Sequence, residues 1–435
     1  MKRHTWSRPL ALALALALTA AACGGDDDDS AETDDSGTSA ETGGELATVP
    51  GFDGTTIKLG VITPTSGPVA LIGEPLTAGN KAYFDYVNTE LGGIDGKYKI
   101  ELDIRDSGYD PTKAGQEYAS VKENTVMIAQ LLGTPIVNAI LEQLIDDEVV
   151  AAPASLDSFW VREPNLLPIG GPYQIQAINA LNWYVTEGEG EGKKVCSLIQ
   201  DDPYGEAGQA GLDFAAEELE IQLGVTARFP VGATADAFTA PIGQLQGDGC
   251  EMVFLVSTPS ATGAALGEAV KAQFAPQWIG QSPSWIGALG ASPLAPYLQA
   301  NFLVASEGVE YGDTSVEGMA ELVRIKDTYA ASQQPDVYFN FGYLQAKAVT
   351  ALLEKAVELS DLSHEGVLRA LEELETLTFD GLSGDYTYGP ADERVPPTKS
   401  TIFKVDPANP TGLSLLERDI EAPFAKDFEF TRVDE

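Results

Sequence analysis

Residues 126–148, VMIAQLLGTPIVNAILEQLIDDE, constrain the fold more than any other part of the chain. An apolar run from Val126 to Leu132 stops at Gly133-Thr134-Pro135, and a helical pattern follows at once. Ile136, Ala139, Ile140, Leu144 and Ile145 recur at three and four, the buried stripe of an amphipathic helix. Thr134 is placed to cap that helix, and Pro135 suits its first position, where a missing N–H costs nothing. A buried strand, a tight turn and a capped helix make one βα unit. Its corner leaves N–H groups and the positive dipole end at the strand's carboxyl edge, which suits an anion.

The same alternation runs through most of the chain and predicts parallel α/β layers. In the first half, a strand at 57–63 ends in the loop 64–70, and a helix at 75–91 stops at Gly92-Gly93. A strand at 98–105 and a helix at 111–122 precede the 126–148 unit, after which 148–152 leads into Pro153-Ala154-Ser155. The alternation restarts after Pro172, with strands at 195–200, 225–229, 252–256 and 277–281 and helices at 175–186, 206–220, 237–246 and 261–273. Helices near 316–332, 342–359 and 364–374 follow, then a Pro-rich β-like end. Open α/β sheets bind ligands beyond the carboxyl ends of their strands, so two such halves facing each other predict an interlobe cleft.

The chain begins like an exported protein. Lys2, Arg3 and Arg8 precede a short apolar run at 10–18, and the end of that run, Leu18-Thr19-Ala20-Ala21-Ala22-Cys23-Gly24, resembles a bacterial lipobox. The resemblance implies a signal peptide at 1–22 and a lipid on Cys23; the alternative is cleavage at an A-x-A site with a free Cys. No later stretch reaches the roughly 18 apolar residues that a membrane span needs. Residues 23–54 are rich in Asp, Glu, Ser, Thr and Gly, and read as a disordered acidic tether. About 385 residues remain, enough for two domains of ordinary size.

A balance of 26 basic against 66 acidic residues, net −40, makes nucleic acid and anionic lipid surfaces poor partners. Beyond His4 in the signal, the only histidine is His364, so a histidine-based triad or zinc site has almost nothing to draw on. No G-x-S-x-G elbow, P-loop or H-E-x-x-H occurs. Cys196 and Cys250 each open an apolar run. If their strands neighbour each other they form a disulfide, as export permits; otherwise they are two buried thiols.

Several segments together carry a family resemblance. IKLGVITPTSGPVALIG (57–73), a helix ending in Asn88, LGGIDGKYKIEL (91–102), Arg105-Asp106, Asp110-Pro111 and DDPYGEAG (201–208) stand in the order and spacing of one family. From about Thr56 onward the chain resembles the leucine/isoleucine/valine-binding proteins, type I periplasmic solute-binding proteins of ATP-binding-cassette (ABC) importers. The resemblance implies two Rossmann-like lobes closing like a Venus flytrap on a hinge of three crossings. Lobe 1 would hold 55–172 and 309–371, and lobe 2 would hold 173–308 and 372–435. It implies a monomeric solute-binding lipoprotein on the outer face of the membrane, with a permease and an ATPase as partners, no catalytic residue, no cofactor and no metal. A ligand-binding receptor not tied to transport is the alternative, and an extracellular hydrolase a weaker one.

Carried over by position, the carboxylate turn falls at Leu132-Gly133-Thr134, where Gly133 replaces the family's usual serine. The second cradle falls at Ala154-Ser155-Leu156; the usual threonine aligns with Leu156, so either Ser155 substitutes or the register slips by one. Tyr204 matches a ligand-contacting tyrosine, Thr258 and Phe341 stand where tyrosines are common, and Ile72 stands where an aromatic lines the pocket. Ser282 replaces an acid that holds the ligand's ammonium in the branched-chain binders. Asp202, Glu307 and Glu310 are the acids that could take its place; without one, an acid, an amide or a urea-like solute fits better than an amino acid.

Overall fold

The computed structural model describes residues 46–432, so the signal segment, Cys23 and the front of the tether lie outside the described residues. The first sheet holds β1 (Thr56–Thr63), β2 (Lys99–Asp106), β3 (Ile128–Leu131) and β4 (Ala151–Pro153) in the order β2-β1-β3-β4. All its pairings are parallel. The connections carry α1 (Ala70–Tyr86, continued by a π turn Val87–Leu91), α2 (Pro111–Val121) and α3 (Thr134–Asp146). A parallel sheet needs such crossovers; β1, β3 and β4 are mostly buried beneath them, while the edge strand β2 keeps Lys99, Glu101 and Ile104 exposed.

The second sheet is built by the next stretch of chain. It runs α4 (Tyr173–Thr186), β5 (Val195–Gln200), α5 (Pro203–Glu218), β6 (Thr226–Phe229), α6 (Thr239–Asp248), β7 (Met252–Val256), α7 (Pro259–Lys271) and β8 (Gln277–Gln281). Two short helices, α8 (Gly287–Gly290) and α9 (Ala295–Asn301), precede β9 (Phe302–Ser306). The chain then returns to the first core as α10 (Met319–Tyr329), α11 (Val337–Glu358) and α12 (His364–Glu372), followed by a two-residue hairpin, β10 (Thr376–Leu377) with β11 (Tyr386–Thr387). Finally β12 (Ser400–Val405) and β13 (Leu413–Ile420) close the second sheet, whose order is β13-β12-β9-β8-β7-β5-β6. Two cores flank each sheet.

Two expected boundaries move. The expected lobe 2 return at 372 comes later, because Phe379, Leu382, Tyr386 and Tyr388 pack in the core of α11 and α12. The third crossing therefore lies between Tyr388 and Ser400. The expected tether also ends earlier than 54: Phe52 is buried with its ring 5.1 Å from Tyr98, and Leu46 and Val49 pack on the same core. Leu46, Val49 and Phe52 recur every third residue, but Pro50, Gly51 and Gly54 among and after them rule out a helix and the spacing is not a strand's, so sequence gives no clear sign of their docking.

α1 and α11 pack with their backbones touching. A Cβ on Gly342 would lie 1.9 Å from Leu76 O, and one on Gly79 2.1 Å from Phe339 O, so only glycine permits the crossing. β5 and β7 are neighbours, and Cys196 and Cys250 are bonded to each other. That bond removes the thiolates a metal would need, although Asp248 lies close to both sulfurs. Among the described residues, no helix is long and apolar enough to cross a membrane.

Candidate functional site

A cavity lies where the carboxyl ends of the two sheets face each other, enclosing about 620 Å³ of non-atom space, part of it continuous with solvent. Lobe 1 contributes Val69, Ile72 and Leu76 from the start of α1, Tyr109 from the β2–α2 loop, Leu132 and Gly133 after β3, and Ala154 to Leu156 after β4. Lobe 2 contributes Tyr173, Tyr204, Thr258, Ser282 and Pro283. Ser306 and Glu307 come from the second crossing, and Val337, Tyr338 and Phe341 from the first turns of α11. Aliphatic and aromatic walls with a few converging polar groups are the usual make-up of a small-molecule site.

The turn at Gly133 differs from its expected form. Gly133, at φ +118°, holds the cap position of α3, and Thr134 is the first helical residue rather than a side-chain cap. Thr134 is buried, its hydroxyl has no partner, and it does not line the cavity. The helix-start donors are mostly engaged: Gly133 N–H donates to Ser155 Oγ at 3.2 Å, and those of Ile136 and Val137 turn back to Gly133 O. A Cβ on Gly133 would lie 2.7 Å from Tyr109 Cε2, so the tyrosine ring occupies the room that the expected serine would need. Of the other carried-over residues, Ile72, Ala154, Ser155, Tyr204, Thr258, Ser282 and Phe341 are all brought to the cavity.

Hydrogen bonds clasp the lobes across this space. Tyr109 Oη donates to Asp202 Oδ2 at 3.3 Å, and Tyr338 Oη donates to Pro283 O at 3.0 Å and Trp285 O at 2.7 Å. Tyr173 packs against Tyr204, their ring centroids 4.9 Å apart. Burial pushes the hydroxyls of Tyr109, Tyr173, Tyr204 and Tyr338 well above their ordinary range, so all four stay neutral donors.

Of the three acids that could replace the one absent at Ser282, only Glu307 reaches the cavity. Burial raises its carboxyl above the usual range, partly offset by its own backbone N–H and the hydroxyls of Ser282 and Ser306. Gln176 ties the two positions together, donating to Glu307 Oε2 at 2.9 Å and accepting from Ser282 N at 3.4 Å. Asp202 is occupied elsewhere, accepting from Gly205 N, Gln200 Nε2 and Tyr109 Oη.

Residues 56–410 match the family described as periplasmic binding protein. The chain belongs to that family. No curated protein is matched by the binding protein's sequence. Among solved structures it is similar to a fatty acid ABC transporter substrate-binding protein from Thermomonospora curvata, at 25% identity and a TM-score of 0.80, over 89% of this chain and 98% of that one. It is also similar in fold to a branched-chain amino acid ABC transporter protein from Thermus thermophilus with bound valine (17% identity, TM-score 0.74, 86% and 98% covered). A possible leucine/isoleucine/valine-binding protein from Rhodopirellula baltica SH 1 is a further likeness (19%, TM-score 0.71, 85% and 98%). The binding protein is thus a substrate-binding protein of the ABC-transporter type, and not an enzyme.

Sequence reasoning missed Tyr109, Tyr173 and Tyr338 as lining residues. Tyr109 and Tyr338 each follow an Asp cap or strand end by a few residues, and Tyr173 opens a helix directly after Pro172. Aromatics at βα corners of such a sheet were the available signal.

Proposed function

We propose that this binding protein captures a small solute with a polar head and an apolar body, an amino acid or a related acid or amide, in the interlobe cavity. The observation that supports this most is the cavity itself, which both sheets' carboxyl ends face and which neutral polar groups enter from each lobe. Gly133, Ala154 and Ser155 would meet the head from lobe 1, with Tyr173 beside them. Tyr204, Thr258 and Ser282 would close from lobe 2, and Ile72 and Phe341 would pack on the body. Thr134 would act from behind the turn rather than by direct contact.

Ligand would stabilise the clasped form by its greater affinity for that state. The solute would then be passed to a permease and ATPase, with the protein monomeric and held to the outer face of the membrane by a lipid on Cys23. Mass spectrometry of the mature N-terminus tests the anchor; an unmodified Cys23 rejects it.

Calorimetry and thermal shift against amino acids, short amides, aromatic acids and medium-chain fatty acids test the ligand class. Binding of an amino acid, acid or amide is the expected result, and silence of the folded protein across the panel overturns the reading. The fatty acid named for the Thermomonospora curvata protein is the second reading, which the apolar walls favour. Preference for a medium-chain acid over every amino acid would select it.

A further inference from the structure

The end of the chain joins the lobes a fourth time, without a covalent crossing. After β13 it runs along lobe 2. Ala422 N donates to Asn179 Oδ1 of α4 at 2.8 Å, and Ala422 and Ala425 are buried in that lobe's core. Phe424 and Phe428 meet Phe214 of α5 edge-on, their ring centroids 6.2 and 5.2 Å from its own. Phe430 and Arg432 then reach lobe 1. The Arg162 guanidinium lies over the Phe430 ring at 5.3 Å and the Arg432 guanidinium over the Phe159 ring at 4.9 Å. Arg432 Nη2 is also 3.4 Å from Glu163 Oε1.

The receiving surface on lobe 1 is fixed. Phe159 and Trp160 are buried in the core around α3, and Trp160 Nε1 donates to Asn138 Oδ1 of that helix at 3.0 Å. Arg162 Nη1 donates to Arg394 O at 2.7 Å and Ala391 O at 3.1 Å, which holds its guanidinium face toward Phe430. Arg432 also stands at a crevice between the lobes that encloses about 1000 Å³ of non-atom space, part of it open solvent. The crevice walls carry Asp157 and Phe159 from lobe 1 and Asp201, Asp202 and Glu206 from lobe 2; among the described residues, Arg432 is the one base that lines it. Carboxylates of the two lobes repel across that crevice, and a guanidinium between them offsets the repulsion. Asp202 links the crevice to the ligand cavity, because it accepts from Tyr109 Oη and Tyr109 lines that cavity.

We propose that residues 421–432 are a strap that holds the lobes together: rooted on lobe 2 by its phenylalanines, it grips lobe 1 through Phe430 and Arg432 and limits how far the empty protein opens. The strap goes beyond the solute-binding reading, since it acts on the two lobes and requires no particular ligand. Each grip is a partly exposed contact, and cation–π pairs and ion pairs of that kind are individually weak. Together they shift the balance between open and closed forms by roughly tenfold, enough to bias closure without locking it.

The test compares the wild type with a Phe430→Ala, Arg432→Ala double variant of the full chain, both ligand-free. Small-angle scattering is expected to give the variant the larger radius of gyration. Ser158 N–H, which donates across the lobes to Gln174 Oε1 at 3.1 Å, is expected to exchange with deuterium about tenfold faster in the variant. An unchanged or smaller radius overturns the proposal, and so does an unchanged exchange rate. A variant that melts more than about 5 °C below wild type also overturns it, making the tail a support of the lobe 2 core rather than a latch. No readout here uses a ligand, so silence across the ligand panel strikes the solute-binding reading and leaves the strap standing.

Discussion

Gly133 shows how one residue's neighbour decides its chemistry. Its positive φ and the Tyr109 ring 2.7 Å from its would-be Cβ leave room only for hydrogen. Gly133→Ser, which restores the residue expected from the family, should therefore destabilise by about 1–3 kcal/mol, read as a lower urea midpoint. An unchanged midpoint would show that Tyr109 moves aside freely. The glycine was legible in the sequence, but its reason was not, because Tyr109 arrives from another strand's loop. Thr134 failed as a cap for a related cause: Gly133 takes the cap position, so the hydroxyl is turned into the core.

Asp157 gives a pH dependence at the same scale. It is 5% exposed, accepts from Gln174 Nε2 at 2.8 Å, and burial pushes its carboxyl up to about 6. The folded state then holds a proton that the unfolded chain releases between about pH 4 and 6, so this group's contribution to stability falls as pH rises through that window and is flat above it. The size is on the order of 3 kcal/mol. Asp157→Asn should flatten chemical-denaturation stability across that window; a slope as steep as wild type's would assign the dependence to other groups.

At the scale of elements, the first turn of α11 does what its sequence concealed. The pattern predicted a helix from 342, yet it begins at Val337, with Asp336 Oδ1 accepting from Tyr338 N at 2.6 Å. The apolar, partly aromatic run VYFNF reads as strand by composition, whereas the Asp336 cap and the close fit of α11 against α1 hold it as helix. That extra turn carries Tyr338 across to lobe 2. Tyr338→Phe removes its bonds to Pro283 O and Trp285 O at about 1 kcal/mol for a neutral hydrogen bond. Ligand should bind roughly fivefold more weakly by calorimetry while ligand-free melting is little changed. Wild-type affinity in this variant would mean that the clasp does not contribute to closure. The disulfide belongs to this scale as well. It spans 54 residues and joins β5 to the turn just before its neighbour β7, so the Cys196→Ser, Cys250→Ser double variant should lose about 2–4 kcal/mol of stability. A denaturation midpoint that matches the oxidised protein would refute that.

At the scale of the molecule, both α/β halves were readable from alternation alone, because each strand–turn–helix unit is local. The interleaving was less so. Residues 376–388 carry no period, and their aromatic side chains find lobe 1 only because α11 and α12 are already there. Charge acts at this scale too. Net charge is −40, and most basic side chains of the described residues already sit in ion pairs, leaving the acidic surplus to repel itself. Exposed pairs add little to stability and lose little when screened, whereas self-repulsion of the surplus opposes compactness over the whole surface. Salt shortens the Debye length from about 30 Å at 0.01 M to about 3 Å at 1 M and so weakens the repulsion more than the contact pairs. Melting should therefore rise by several degrees between ~0.01 and ~0.5 M NaCl. A fall over that range, measured by calorimetry without ligand, would mean that the ion pairs outweigh the surplus they leave behind.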